Sequence, residues 1–141
     1  MIARAANHDD IPQLLPLYLD LTRASSIGDA AQAAEVLDHP GTNIYVVEDD
    51  EEIRAMVTLH ILPNVTWAGR PYALVENVVT QSNVHGQGYG RAALQAAIDA
   101  AQKADVYKIM LLTGQGRSAR GFYEKLGFSA DEKWGMTIRF E

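Results

Sequence analysis

Residues Val84 to Leu94 read VHGQGYGRAAL. Three glycines, Gly86, Gly88 and Gly90, occupy alternate positions, and an alanine-rich stretch with helical periodicity follows them directly. Glycine has no Cβ, so it permits backbone conformations and close approaches that other residues forbid, although it costs more folding entropy. The pattern therefore predicts a turn at the start of a helix, whose backbone a ligand can approach closely.

The predicted turn suits a phosphate group, because a helix N-terminus offers unpaired N–H groups and a partial positive charge. Arg91, in the first helical turn, would add a charge-assisted contact. The spacing G-x-G-x-G differs from the dinucleotide fingerprint, and no Gly-Lys-Ser/Thr follows as it would in a P-loop. A tight turn that is merely rich in glycine is the alternative.

The composition is that of one soluble globular domain, which we expect to span residues 1–141. No apolar run reaches the roughly 18 residues that cross a bilayer, the N-terminus does not resemble a signal peptide, and there is no cysteine. We therefore expect a cytoplasmic protein without a membrane partner. A formal net charge of −6 argues against a nucleic-acid partner. Metal-binding spacings of His, Asp and Glu are lacking, so we expect no metal.

The hydrophobic periodicity predicts an alternating series of strands and helices. In order, these are an N-terminal strand, two helices (the first containing Pro16), a hairpin with a solvated acidic tip, a strand in YALVENVVTQ, the long helix after the glycines, a strand in YKIMLLTG, a short helix in RSARGFYEKLG and a final strand in WGMTIRF. This order predicts an α/β domain whose mostly antiparallel sheet contains at least one helical crossover.

Two segments resemble motifs of the GNAT superfamily of acyl-CoA-dependent N-acetyltransferases. The residues from His85 to Gly90 (HGQGYG) are similar to its Arg/Gln-x-x-Gly-x-Gly/Ala motif, and those from Ala119 to Phe128 (ARGFYEKLGF) to its Ala-x-x-Phe/Leu-Tyr-Glu-Lys-x-Gly-Phe segment. The resemblance extends to the element order. It implies the GNAT fold, a single domain with a twisted, mostly antiparallel central sheet flanked by helices.

The resemblance also implies acetyl-CoA as cosubstrate. The strand residues Val78, Val79 and Thr80 would contact its pantetheine arm through their backbone. The pyrophosphate would lie against the residues of the loop and the first helical turn, which are His85, Gly86, Gln87, Gly88, Gly90 and Arg91. His85 stands where the family usually has Arg or Gln, and Gly116 where it commonly has Asn.

Two residues are candidates for the chemistry of acetyl transfer. An alkyl amine of pKa about 10.4 must lose a proton before it attacks a thioester, so a base is needed. Glu76, inside the apolar run ALVENVV, is the candidate base, since burial there would suit it to accept a proton; a structural carboxylate is the alternative. Tyr123 resembles the family's general acid, although Phe122 and Leu126 make a packing aromatic the alternative.

Other polar and aromatic residues have two readings each. His60, in TLHIL, would either face the acceptor site or be an ordinary sheet histidine. Trp67 would either form a wall of the acceptor pocket or cover the core.

The function that the resemblance implies is transfer of an acetyl group from acetyl-CoA to a primary amine, on a small molecule rather than a protein. A homodimer is implied by analogy. His85 and Gly116 keep a second class open, a non-catalytic acyl-CoA-binding module that senses the cofactor or regulates a partner. A nucleotide-phosphate binder that uses the same loop is a third reading.

Overall fold

A computed structural model describes residues 1–22, 26–116 and 119–140. The chain divides into two compact units, Met1–Met110 and Leu111–Glu141. A single domain over residues 1–141 stays a prediction.

The first unit contains five strands and three α-helices within its described residues, joined by short 3-10 turns. Their bounds are β1 Ile2–Ala5, α1 Ile11–Leu21, α2 Ala30–Asp38, β2 Thr42–Asp49, β3 Glu52–Leu62, β4 Tyr72–Thr80, α3 Tyr89–Lys103 and β5 Ile109–Met110. These elements follow the predicted order.

The strands form one sheet in the order β1-β2-β3-β4-β5. The first three pairs are antiparallel, and β4 and β5 are parallel. A parallel pair needs a crossover, and α3 supplies it, as predicted. The ladder between β4 and β5 joins only Ala73 to Ile109 and Leu74 to Met110, so β5 is much shorter than the run YKIMLLTG predicts.

Side-chain caps stabilise the 3-10 turn at His8–Asp10, which leads into α1, and the first turn of α2. Asn7 and Asp10 form a capping box ahead of α1, in which the Asn7 backbone N–H donates to Asp10 Oδ2 at 2.8 Å. Asp29 caps α2, because its Oδ1 accepts the Gln32 backbone N–H at 3.0 Å. Such caps satisfy N–H groups that have no partner within the helix.

The core lies on both faces of the sheet. On one face, Leu14 and Leu17 of α1 pack against Ile44, Val46, Ile53, Met56 and Val79. On α3, every residue of one stripe is buried, namely Ala93, Leu94, Ala97 and Ala101, and the helix contacts β2 and β3. Helices on both faces cover the apolar side chains that the central strands carry on both sides.

The second unit contains one helix in its described residues, α4, Arg120–Glu124. It is shorter than the helix predicted in RSARGFYEKLG, of which Arg117 and Ser118 lie outside the described residues. Gly127 follows with a φ of +102°, a left-handed conformation that suits glycine after a helix.

The final strand predicted in WGMTIRF is wrong, because residues 134–140 have irregular backbone. Their apolar side chains alternate as in a strand, yet Trp134 is 95% exposed and Ile138 is 83% exposed. A strand exists only where a neighbouring strand takes its backbone hydrogen bonds. Among the described residues of this unit, none forms such a neighbour.

Over the described parts of the two units, no helix is long and apolar enough to cross a membrane.

Candidate active site

The glycine loop, residues 85–88, adopts the backbone conformation that its sequence predicts. After β4, a 3-10 turn at Ser82–Val84 leads to the loop, and α3 begins at Tyr89. Gly86 has a φ of +79° and Gly88, the N-cap of α3, has a φ of +91°. A Cβ built on either glycine would have no atom within 4 Å, so the space beside the loop is open. Conformation, and not crowding, therefore requires glycine at both positions.

The N-terminus of α3 has no side-chain cap. The backbone N–H of Ala92 donates to the carbonyl of Gly88 at 3.0 Å. The amides of Tyr89, Gly90 and Arg91 precede it in the first turn, where N–H groups have no partner inside the helix. Arg91 is exposed beside them. Uncapped amides, the helix dipole and a cation together make this end of α3 suitable for an anion.

His85 ties the loop to the end of β4. Its Nε2 lies 3.0 Å from the carbonyl oxygen of Thr80. A carbonyl only accepts, so Nε2 carries the hydrogen of this bond. This nitrogen is therefore engaged with the backbone, and a contact from His85 to a cofactor stays a prediction.

Tyr89 ties the start of α3 to the β2–β3 hairpin. The ring is buried, and its hydroxyl donates to Asp49 Oδ2 at 2.6 Å. The hydrogen bond lowers the pKa of Asp49, and it raises the pKa of Tyr89 because a phenolate would face the carboxylate. The sequence predicted a solvated acidic tip here and missed this contact. The only sequence signal for this contact was the position of the tyrosine between two glycines, Gly88 and Gly90.

A β-bulge interrupts β4 next to the loop. Thr58 of β3 pairs with Glu76 and Met56 pairs with Val79, so Asn77 and Val78 together face the single residue between Thr58 and Met56. Asn77 has a φ of +52°, a left-handed conformation that is uncommon outside glycine. A bulge leaves backbone groups outside the ladder, and bulges occur often beside active sites.

Glu76 is exposed, and the predicted burial of this side chain is wrong. In an even strand, Glu76 and Asn77 would point to opposite faces. The bulge turns the strand at this point, and both side chains are exposed. Of the residues after the bulge, Val79 points into the core, while Val78 and Thr80 are half-buried. Glu76 therefore stays a candidate base through its place at the bulge and not through burial.

A cavity of about 270 Å³ lies between α1, α2 and the β4 bulge. We call it the α1–α2 cavity. Its lining within the described residues comprises Leu15, Tyr18, Leu21, Thr22, Ile27, Gly28, Asp29, Gln32, Ala33, Val36 and Asn77. The sequence did not predict this cavity, because its walls come from two helices and a bulge whose packing leaves no local signal.

Tyr18 is the aromatic residue of the cavity wall, and burial raises the pKa of its hydroxyl. The hydroxyl lies near that of Thr58, which is fully buried. Thr58 Oγ1 has no well-formed hydrogen bond to any described residue. The Thr58 hydroxyl is thus a buried polar group behind Tyr18, the residue through which α1 contributes an aromatic surface to the cavity.

Tyr123 lies in the second unit on α4. Its ring packs edge-on against Phe122, with centroids 5.2 Å apart, and against Phe128, with centroids 6.1 Å apart. The ring is half-buried. These contacts fix the ring in its own unit, and the acid role of Tyr123 stays a prediction.

The remaining candidates lie away from the α1–α2 cavity. His60 Nδ1 is 2.8 Å from Thr42 Oγ1, and His39 shares the same hydroxyl, so His60 is a sheet histidine with a satisfied partner. Trp67 is 66% exposed and stacks on Tyr107 with centroids 5.3 Å apart. Within the described ranges, no three His, Cys, Asp or Glu side chains are grouped as a metal ion would require.

Comparison with known proteins relates the chain to acetyltransferases. The sequence profile of the acetyltransferase (GNAT) family matches residues 10–128. A glucosamine 6-phosphate N-acetyltransferase of Trypanosoma brucei brucei is 28% identical over 134 residues, and the match covers 92% of this chain and 90% of that protein.

Solved structures share the fold over the full chain. A putative acetyltransferase from Agrobacterium tumefaciens str. C58 is 41% identical, with a TM-score of 0.93 over 99% of this chain and 100% of that one. A protein from Bacillus halodurans C-125 that is named a transcriptional regulator is 26% identical, with a TM-score of 0.84 over 99% of both chains. The family profile covers most of the sequence, and these structures agree with it. The chain therefore belongs to the GNAT family of acetyltransferases.

Proposed function

We propose that the protein transfers an acetyl group from acetyl-CoA to a primary amine of a small molecule. The observation that carries the proposal is the continuous run from the β4 bulge through the glycine loop to the uncapped N-terminus of α3. This run joins a backbone suited to a thioester with a helix end suited to a phosphate, inside one compact unit.

The loop fits the pyrophosphate of coenzyme A. The positive φ values of Gly86 and Gly88, and the open space beside both, allow an anion to approach the backbone. Gln87, Gly90 and Arg91 complete the proposed cradle. A His85 that is bound to the Thr80 carbonyl would hold the loop in place instead of contacting the phosphates itself.

The bulge fits the thioester end of the cosubstrate. In the proposed complex, backbone groups of Val78, Val79 and Thr80 contact the pantetheine arm and the acetyl carbonyl. N–H groups directed at a developing oxyanion lower the barrier to acyl transfer. The bulge leaves Asn77 and Val78 outside the ladder with β3, so backbone groups of Val78 are free for this task, whereas Val79 and Thr80 pair with Met56 and Ala55.

The reaction is a direct attack of the amine on the thioester carbonyl. A C–N bond forms and the C–S bond breaks. In the proposed roles, Glu76 takes the proton that the amine loses, directly or through water, and Tyr123 protonates the leaving thiolate. The exposure of Glu76 leaves water free to reach it and carry the proton.

A small-molecule acceptor is supported by the Trypanosoma relative, whose name specifies an amino-sugar phosphate as its substrate. The homodimer and the cytoplasmic location that we expect are parts of the same proposal. Light scattering after size-exclusion chromatography measures the first of these directly.

Release of free thiol from acetyl-CoA, measured with a panel of primary amines, tests the proposal. We expect release that saturates with at least one amine, and formation of the N-acetyl product by mass spectrometry. Binding of acetyl-CoA without release for any amine would instead support the acyl-CoA sensor, to which the relative named a transcriptional regulator lends some weight. Competition by ATP at equal concentration would point to a nucleotide-phosphate binder.

A further inference from the structure

We propose that the α1–α2 cavity binds the acceptor, and that this acceptor is an amine with an apolar body, such as an arylalkylamine, and not a sugar phosphate. The inference rests on the proposed acetyl transfer and names the substrate class for it. It concerns the first unit alone, where every lining residue of the cavity lies.

The position of the cavity links it to the chemistry. Asn77, the bulge residue of β4, forms part of the lining. The candidate base Glu76 precedes Asn77 directly, and the backbone proposed to hold the thioester follows it. A ligand in the cavity would therefore place an amine at the bulge, where the acetyl group is expected.

The size of the cavity limits the acceptor. At about 270 Å³, it lies at the lower end of the range for ligand pockets, which is roughly 300–1,000 Å³. It can hold a single ring with a short side chain. A peptide segment or a large oligosaccharide would not fit.

The apolar part of the wall argues for an apolar body. One group of lining residues is aliphatic, namely Leu15, Leu21, Ile27, Ala33 and Val36. The Tyr18 ring adds an aromatic surface beside them. The polar members of the lining are Thr22, Asp29, Gln32 and Asn77. Sugar hydroxyl groups that face the aliphatic side chains would lose their water without gaining partners there, which is unfavourable.

The charge of the wall argues for an ammonium group and against a phosphate. Among the described lining residues, Asp29 carries the only formal charge. Its Oδ1 accepts the Gln32 backbone N–H, and its side chain is exposed. A protonated amine placed here would be attracted to this carboxylate, whereas a phosphate would be repelled by it.

The test compares two acceptors on the intact protein in the thiol-release assay, 2-phenylethylamine and glucosamine 6-phosphate. We expect kcat/KM for 2-phenylethylamine to exceed that for glucosamine 6-phosphate by about tenfold or more, since misfit against a pocket wall changes discrimination by this amount. A preference for glucosamine 6-phosphate would overturn the inference and leave the proposed acetyl transfer standing.

The second test is a variant whose larger side chain fills the α1–α2 cavity. Ala33 is buried in the wall, and Ala33→Leu should raise KM for 2-phenylethylamine by about tenfold, with KM for acetyl-CoA unchanged. Ala31→Leu, at an exposed position on the same helix, is the matched control and should change neither. An unchanged KM for the amine in a folded Ala33→Leu protein would overturn the inference.

If Ala33→Leu does not fold, Asp29→Asn replaces it, because asparagine also caps helices well. Removal of this exposed charge should weaken the binding of 2-phenylethylamine by about threefold and leave the binding of neutral 2-phenylethanol unchanged. Equal effects on both ligands, or none on either, would overturn the inference.

Calorimetric titration of 2-phenylethylamine into the protein with coenzyme A separates the two claims. Saturable binding that Ala33→Leu removes supports the cavity even if no amine is acetylated, in which case only the proposed transfer fails. Lack of binding by the wild-type protein overturns the inference, whether or not other amines are acetylated.

Discussion

The Tyr89 hydroxyl donates a 2.6 Å hydrogen bond to Asp49, a residue 40 positions earlier in the chain. Tyr89 is the first residue of α3, and Asp49 is the last residue of β2. Asp49 also lies 3.5 Å from the N-terminal ammonium. The helix end proposed to bind pyrophosphate is thus fixed to the sheet by a side-chain contact outside the glycine loop.

Tyr89→Phe should lower the melting temperature and weaken acetyl-CoA binding about threefold to tenfold, because the anion-binding amides would be less preorganised. The hydrogen bond raises the pKa of Tyr89, so its contribution to stability is full below the pKa of an unfolded tyrosine, about 10. It is lost as the pH rises through the higher folded value. Thermal unfolding between pH 8 and about pH 11 measures this.

Asp49→Asn is the matched control for Tyr89→Phe, since an amide oxygen still accepts the hydroxyl hydrogen without a negative charge. Affinity for acetyl-CoA should stay close to that of the wild-type protein. Identical stability, affinity and alkaline pH dependence in Tyr89→Phe would show that the tether does not matter.

Gly88→Ala should separate backbone strain from ligand contact. Its φ of +91° costs an alanine about 1–2 kcal/mol, although the Cβ itself meets open space. Because that space is where the phosphates would approach, we also expect at least about a tenfold loss of acetyl-CoA affinity by calorimetry. Gly127→Ala, at a φ of +102° with equally open surroundings, should lose stability and keep its affinity. Equal affinity in both variants would argue against the cradle.

Glu76→Gln should lower kcat about 100-fold and leave the dissociation constant of acetyl-CoA unchanged, because a general base contributes to the chemical step alone. Steady-state kinetics and calorimetry measure the two quantities separately. Glu35→Gln, an exposed carboxylate on α2, is the control. A variant with wild-type kcat would leave Glu76 without a catalytic role.

Tyr123→Phe should also lower kcat about 100-fold with little change in acetyl-CoA affinity, because it removes a proton donor and keeps the ring. The edge-on contacts with Phe122 and Phe128 need only the ring, so the variant keeps them. Tyr107→Phe, which keeps the stack on Trp67, serves as the control. Full turnover in Tyr123→Phe would assign the tyrosine to packing.

Arg4→Met should destabilise the protein by about 2 kcal/mol at neutral pH, through the loss of two charge-assisted bonds to Asp10 at 2.8 Å. Those bonds hold the pKa of the nearly buried Asp10 below its ordinary value. Their contribution is present above the unfolded carboxyl pKa of about 3.9 and is lost as pH falls through the folded value. Urea unfolding at pH 7 and pH 3 should therefore show the variant and wild type converging.

The control for Arg4→Met is Arg120→Met, which breaks exposed pairs with Glu124 and Asp131. An exposed pair contributes at most about 1 kcal/mol. A difference between Arg4→Met and wild type that stays constant down to pH 3 would contradict the assigned role of Asp10.

Local chemistry explains which elements could be predicted from the sequence. The glycines before α3 and the apolar runs of the hairpin act on their own neighbours in the chain, so their patterns can be recognised in the sequence. Prediction failed where structure depends on a distant partner. Residues 134–140 alternate as a strand does, but alternation does not supply the neighbouring strand.

For the candidate site too, features set by the local sequence were predictable, and features that depend on distant residues were not. The conformation of the glycine loop was predictable, because positions with a positive φ favour glycine and are therefore visible in the sequence. The exposure of Glu76 was not, since a bulge depends on the register between β3 and β4. The contact between Tyr89 and Asp49 and the α1–α2 cavity likewise arise from packing between distant segments.

Thermal unfolding with and without acetyl-CoA, and with ATP as the control, tests the central claim most directly. Acetyl-CoA at about 100 times its Kd adds about 2.7 kcal/mol to the folded state. For a chain of 141 residues, this should raise Tm by several degrees, while ATP should have little effect. An unchanged Tm at millimolar acetyl-CoA, or an equal rise with ATP, would contradict the account.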